Sequence, residues 1–139
     1  MLKRIDPLLT PDLLKYLCAM GHGEWVAVVD ANFTADWLAA GKPVVRLPGH
    51  SLERVAQAVL SVFPLATDVE CPAGYMQHSG LPAGQTTEAQ ASFVRLVGQA
   101  EAIERYAFYD RVRGASLIVQ SGEVTAFGNA ILCKGVILP

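Results

Sequence analysis

The sequence predicts a three-layer α/β/α domain around a largely parallel, mixed sheet of short strands, with an antiparallel pair at the C-terminus. Three observations carry this. Segments with apolar residues at helical spacing alternate with short apolar runs from end to end. Those runs are continuous rather than polar at every second position, as strands buried on both faces are. The 139 residues suffice for one hydrophobic core, so residues 1–139 are expected to form a single domain.

Taken in order, Thr10 or Asp12 opens a first helix, with Pro11 where a missing N–H costs nothing. Leu13, Leu14, Leu17 and Cys18 recur at helical spacing until Gly21 ends it. Trp25 to Val29 is a valine-rich strand, Asn32 to Gly41 is irregular or a short helix, and Val44-Val45-Arg46 is a brief strand before a turn at Pro48-Gly49. Ser51 begins a helix with the stripe Leu52, Val55, Ala58, Val59 and Val62, which Pro64 closes. A third strand is expected from Val69 to Met76, made irregular by Pro72 and Gly74. His78 to Gln85 is a loop, and Thr86-Thr87-Glu88 cap a helix that carries Phe93, Val94 and Val97. Ala102-Ile103 is a very short strand, Arg105 to Arg113 a short amphipathic helix and Ala115 to Gln120 a strand. Ser121-Gly122 turns the chain, and Ile131-Leu132-Cys133 is the last strand.

A net charge of -2 and a pI of 5.9 leave no electrostatic footprint for nucleic acid or an anionic membrane. Hydrophobic residues make up 52% of the chain and the mean hydropathy is +0.32, apolar for a protein that exposes much of its surface. No apolar run approaches the roughly 18 residues of a membrane span. The excess is therefore expected to cover subunit interfaces in a homo-oligomer. Cys18, Cys71 and Cys133 are far apart and form no CxxC pair, which argues against a disulfide framework and a zinc knuckle. With no signal-peptide pattern at the first residues, the expected location is the cytoplasm.

The chemistry concentrates in two regions. His22 stands between Gly21 and Gly23 at a helix exit, and the strand that follows ends on Asp30. Histidine moves protons near neutral pH, and a carboxylate at the C-terminal mouth of a buried strand sits where open α/β sheets keep ligands. His22 also reads as a cap on the preceding helix, and Asp30 as a turn former. The second region is Arg105-Tyr106-Ala107-Phe108-Tyr109 with Phe127-Gly128-Asn129. An arginine among aromatics offers a flat platform and a forked donor for sugar hydroxyls, and Asn129 offers both a donor and an acceptor. Core packing for Tyr106 and Phe108, and a plain turn at Gly128-Asn129, are the other readings. Trp37 follows Asp30 closely enough to be a stacking candidate. His50 and His78 lack metal-like spacing and are read as solvated loop residues, so no metal site is expected. Glu24 and Asp36 are read as solvent-facing, and Trp25 as core or interface.

Leu8 to Asp30, the run Arg105 to Arg111, and Gly128-Asn129 to Gly135 together resemble the RbsD/FucU family of ribose pyranases and fucose mutarotases, nearly over the full length. The likeness is nearer the fucose mutarotase branch, with Gly-His-Gly at the helix exit and arginine at position 105. It implies an RbsD-like fold and interconversion of monosaccharide ring forms without metal, cofactor or redox chemistry. It also implies His22 as the proton-transfer group, Asp30, Arg105, Phe127, Gly128 and Asn129 as sugar-binding positions, and a decameric ring with sites at subunit interfaces. Phe127 departs from the tyrosine usual there, and Tyr106 or Tyr109 is the candidate replacement phenol. A monosaccharide-binding or transport-associated module with little turnover is the alternative that this departure keeps open.

Ring opening requires a base at the anomeric hydroxyl and an acid at the ring oxygen, which a histidine aided by water or a phenol can supply. Strand geometry adds a constraint. Glu24 and Asp30 at the ends of an extended segment lie roughly 20 Å apart at about 3.3 Å per residue. His22 and Asp30 are therefore expected to meet one sugar only across a subunit boundary.

Overall fold

The computed structural model describes residues 1–139. Its elements are α1 (Pro11–Ala19), β1 (Trp25–Val29), α2 (Ala35–Ala39), β2 (Val44–Leu47), α3 (Leu52–Leu60), β3 (Ala73–Met76), α4 (Glu88–Val97), β4 (Glu101–Ile103), α5 (Arg105–Arg113), β5 (Leu117–Ser121) and β6 (Ala130–Cys133).

The helix starts follow from local chemistry. Thr10 Oγ1 accepts from the Leu13 N–H ahead of α1, whose first residue is Pro11. Ser51 accepts from Arg54 N–H at α3. Thr87 and Gln90 form a reciprocal capping box at α4, each side chain bonding the other's main-chain N–H. Replacing Thr87 with alanine removes one half of that box and is expected to cost about 1 kcal/mol, read as a lower urea midpoint at unchanged slope.

The strands form one sheet in the order β2-β5-β1-β6-β3-β4. β2, β5 and β1 are mutually parallel, as are β3 and β4, and β6 runs antiparallel to both of its neighbours, β1 and β3. Five strands thus point one way and β6 alone is reversed. The segment from Gly122 to Asn129 leaves β5 and re-enters the sheet at the same edge, so β6 must run backwards. β1 already occupies the place beside β5, which is why the antiparallel partners are β1 and β3 rather than the preceding strand.

Both sheet faces are covered. Val26 and Val28 face a core with Leu13 and Leu17 of α1, Leu52, Val55 and Val59 of α3, and Phe93 of α4. Ala27 and Val29 face the opposite core with Leu38 of α2 and Phe108 and Val112 of α5. The alternation explains why β1 had to be apolar at every position. Lys42 ties the second layer together. Its ammonium donates to Leu38 O of α2 and to Val112 O and Arg113 O of α5, at 3.1, 3.0 and 2.8 Å, where it complements both helix C-termini. Burial pushes its pKa down.

Two expectations shift. The strand expected from Val69 to Met76 keeps only Ala73–Met76. Pro72 has no N–H for a ladder, and its carbonyl instead accepts from Cys133 N–H. The strand expected from Ala115 begins at Leu117 because Ala115 N–H closes onto Val112 O and finishes the helix.

Candidate active site

Because five strands are parallel, the chain leaves β1 at Asp30, β3 at Met76 and β4 just before Arg105 along a single edge, where it also enters β6 from Phe127 and Asn129. These segments line an open cavity of about 570 Å³, within the usual range of small-molecule sites. Asp30, Asn32, Arg105, Tyr109, Phe127 and Asn129 line it, with Trp37 and Val124 at exposed positions. Ligands in open α/β sheets bind at this carboxyl edge.

Asp30 and Asn129 form its floor, and both are buried. Asp30 N–H donates to Asn129 Oδ1, and Asn129 Nδ2 donates to Asp30 Oδ2, each at 2.8 Å. Asp30 Oδ1 accepts from Asn32 N–H at 3.0 Å, the bond of a turn former. Burial pushes the Asp30 carboxyl above its usual range, with a smaller push from Glu123, while bonds from Asn129, Asn32 and Phe33 hold it back.

Arg105 is the first residue of α5, where Glu104 caps the helix by accepting from Tyr106 N–H and Ala107 N–H. The buried Phe108 on the same helix packs edge-on to Phe33, which seats α5 on the sheet. Arg105 Nε donates to Tyr109 OH at 3.0 Å, and its guanidinium lies over the Tyr109 ring. Tyr109 is therefore the phenol on the cavity wall, whereas Tyr106 is 67% exposed and outside it.

Phe127 lines the cavity with φ of 62°, a left-handed conformation that is uncommon for an aromatic residue. The buried Gln90 supports it, its Nε2 donating to Phe127 O at 3.1 Å and to Met76 O at 2.7 Å. Gly128 lies against Glu123 rather than on the wall: a Cβ there would stand 2.6 Å from Glu123 Cγ. Glu123 in turn holds the loop, accepting from Thr125 N–H and Leu52 N–H. Burial raises its pKa, and these bonds outweigh that and leave it below the usual range.

Gln90, Gln120 and Glu123 escaped sequence reasoning. Gln120 Nε2 donates to the carbonyls of Asp30, Ala31 and Phe33, clamping the loop after β1. A glutamine four residues into β5 offers no sequence signal for this, but Gln90 at the third position after Thr87 was legible as a capping box. His78 needs correction. It is half-buried, with its ring centroid 4.3 Å from that of Phe127, because the loop after β3 folds against the cavity wall instead of extending into solvent.

His22 is not in the cavity. It precedes β1 and so lies at the opposite edge of the sheet from Asp30. Lys134 builds its surroundings, donating from Nζ to Leu17 O and Met20 O at the end of α1, while its main-chain carbonyl accepts from Gly23 N–H. Gly23 takes φ of 81°, open only to glycine at low cost. His22 Nε2 stands 3.0 and 2.9 Å from the two carboxyl oxygens of Asp68, with both side chains about half exposed. No group of three or more His, Cys, Asp and Glu side chains is spaced to hold a metal ion, and no helix is long and apolar enough to cross a membrane.

Comparison with known proteins places this geometry. The sequence pattern of the RbsD / FucU transport protein family matches residues 3–137. The chain is 38% identical to a fucose mutarotase from Homo sapiens, over 98% of this chain and 94% of that protein. It is 37% identical to an L-fucose mutarotase from Glaesserella parasuis, over 98% and 96%. Among solved structures, FucU from Bifidobacterium longum superposes with a TM-score of 0.89 at 34% identity, covering 98% of this chain and all of the other. A Streptococcus pneumoniae fucose mutarotase in complex with L-fucose superposes at 0.86 with 28% identity, over 99% of this chain and 100% of that one.

Proposed function

The chain belongs to the RbsD / FucU family, and from that premise we propose that it is a sugar mutarotase, a carbohydrate isomerase that interconverts the anomers of a monosaccharide such as L-fucose. The observation that carries this is the Asp30–Asn129 pair on the floor of the carboxyl-edge cavity beside Arg105 and Tyr109. A buried carboxylate accepts from sugar hydroxyls, the guanidinium donates to them, and Phe127 and Trp37 offer apolar faces to the ring. His22 supplies acid–base chemistry from a neighbouring subunit, completing a cavity that its own chain leaves without a proton-transfer histidine.

The reaction conserves every atom. The anomeric O–H loses its proton, C1=O forms as the C1–O5 bond breaks, and O5 takes a proton. Rotation about C1–C2 and reclosure on the other face give the second anomer. General acid–base catalysis contributes about 10²–10⁴-fold, enough for a reaction with a low intrinsic barrier.

Two lines of support favour assembly into the decameric ring that the family resemblance implies. Trp37 and Val124 are 70% and 78% exposed beside the cavity, and Val136, Ile137 and Leu138 expose a second apolar segment. Such surfaces are normally covered by a partner. The three free cysteines fit a reducing compartment, which supports a cytoplasmic location.

Saturation-transfer NMR of anomer exchange tests the function. The protein is expected to accelerate exchange of L-fucose, and Phe127→Tyr to change the preference among L-fucose, D-ribose and other monosaccharides by several-fold, because a phenol adds a donor to the wall. Binding without acceleration for every sugar tested would instead identify a monosaccharide-binding module.

A further inference from the structure

From the pairing of His22 Nε2 with Asp68, we propose that Asp68 is a positioning residue that fixes His22 in the Nε2–H tautomer and makes Nδ1 the atom that exchanges protons with the sugar. This rests on the assignment of His22 as the acid–base group.

The argument is one of hydrogen-bond inventory. Asp68 offers its two carboxyl oxygens to His22 Nε2 at 3.0 and 2.9 Å. The bond from His22 is the largest influence on the Asp68 carboxyl and holds it below the usual range, so it is ionised near neutral pH. An ionised carboxylate only accepts, and therefore the hydrogen of a neutral imidazole must sit on Nε2. Nδ1 is left with its lone pair, and Nε2 is the only ring atom of His22 that hydrogen-bonds within the chain.

The placement has a backbone origin. Asp68 lies in the irregular stretch between α3 and β3, which Ala66 N–H bonding to Cys133 O and Gly135 N–H bonding to Pro64 O draw down to the end of β6. The same end of β6 holds the His22 turn, through Gly23 N–H bonding to Lys134 O. Both partners thus hang from one strand terminus, 46 residues apart in sequence.

The chemistry then balances at one ring. Nδ1 takes the anomeric proton and the imidazole becomes a cation whose charge faces Asp68. The C1–O5 bond breaks, O5 is protonated, and Nδ1 returns to its lone pair by giving up the proton it gained, directly or through water. Nε2–H never leaves Asp68. An exposed pair contributes little to stability, so the consequence of the contact is orientation and tautomer rather than folding.

Histidine-ring ¹⁵N labelling with long-range ¹H–¹⁵N correlation, above the imidazole titration, reads the tautomer directly. His22 in the full protein is expected to show a protonated Nε2 and an unprotonated Nδ1. Asp68→Asn is expected to lose that bias and lower kcat for anomer exchange about ten-fold at little change in KM, below the full range of general acid–base catalysis. Asp68→Glu should restore part of both. A protonated Nδ1 in the wild type, or Asp68→Asn with unchanged tautomer and kcat while His22→Ala is inactive, overturns the proposal and leaves the acid–base role of His22 standing. If His22→Ala keeps full exchange, the acid–base assignment itself falls, and the proposal with it.

Discussion

His22→Ala is expected to reduce catalysed anomer exchange by about 10²–10⁴-fold, the whole contribution of a general acid–base group, while sugar binding at the Asp30 cavity changes little. The physical basis is the separation of roles. His22 sits at one edge of the sheet and the cavity at the other, so removing the imidazole leaves the Asp30–Asn129 pair and Arg105 untouched. Saturation-transfer NMR gives the rate, and titration with the sugar gives the affinity. The proposed sharing of the site between subunits makes a sharper demand. Subunits carrying His22→Ala mixed with subunits carrying Asp30→Ala should regain activity, since a site taking His22 from the second and Asp30 from the first is intact. Random mixing restores roughly one quarter of sites in a closed ring. No recovery after verified subunit exchange would place both residues in the same chain's site.

The second large effect is on stability. Asn129→Asp is nearly isosteric, yet it replaces the Nδ2 donor 2.8 Å from Asp30 Oδ2 with an oxygen. Two buried carboxylates at that distance do not both ionise, so near neutral pH the pair either takes up a proton or loses the hydrogen bond that Nδ2 gave. The expected cost is about 3 kcal/mol near pH 7. Its pH dependence has a definite sign. The carboxyl pair in the folded state holds a proton more tightly than carboxyls in the unfolded chain, so stability is fully present below the unfolded value and is lost as pH rises through the raised folded value. Wild-type Asp30 carries the same sign in weaker form, because burial already raises it. Asp6 carries the opposite sign: the Arg54 hydrogen bond lowers its carboxyl, so its stabilisation is lost as pH falls. Both proteins share that slope, and it cancels in the difference. Urea midpoints of the two proteins should therefore diverge progressively as pH rises above the ordinary carboxylate range, through the raised value of the folded pair. A deficit that does not vary with pH would mean lost packing rather than charge.

Much of this architecture is legible in the sequence. β1 is apolar at five consecutive positions, which only a strand covered on both faces requires, and the capping residues Thr10, Ser51 and Thr87 mark their helices within a residue. Asp30, Arg105 and Asn129 were legible as chemistry because each follows or precedes an apolar strand, and in a parallel sheet those junctions fall along one edge. Less of the supporting shell was legible. Gln120 and Glu123 act through main-chain carbonyls and amides of segments roughly 70 to 90 residues away, and nothing in local composition encodes such partners. His78 looked solvated for the same reason: its contact with Phe127 depends on how one loop folds over another.

Local order of residues was enough to settle the element types, the layering and the chemical character of the carboxyl edge, because periodicity, capping and burial act over a few residues. The reversal of β6 between β1 and β3, the two-point bond between Asp30 and Asn129 across 99 residues, and the pairing of His22 with Asp68 belong to the tertiary structure alone. Each joins groups distant in the chain, and directional hydrogen bonds form only after the sheet has set their positions to within a few tenths of an ångström.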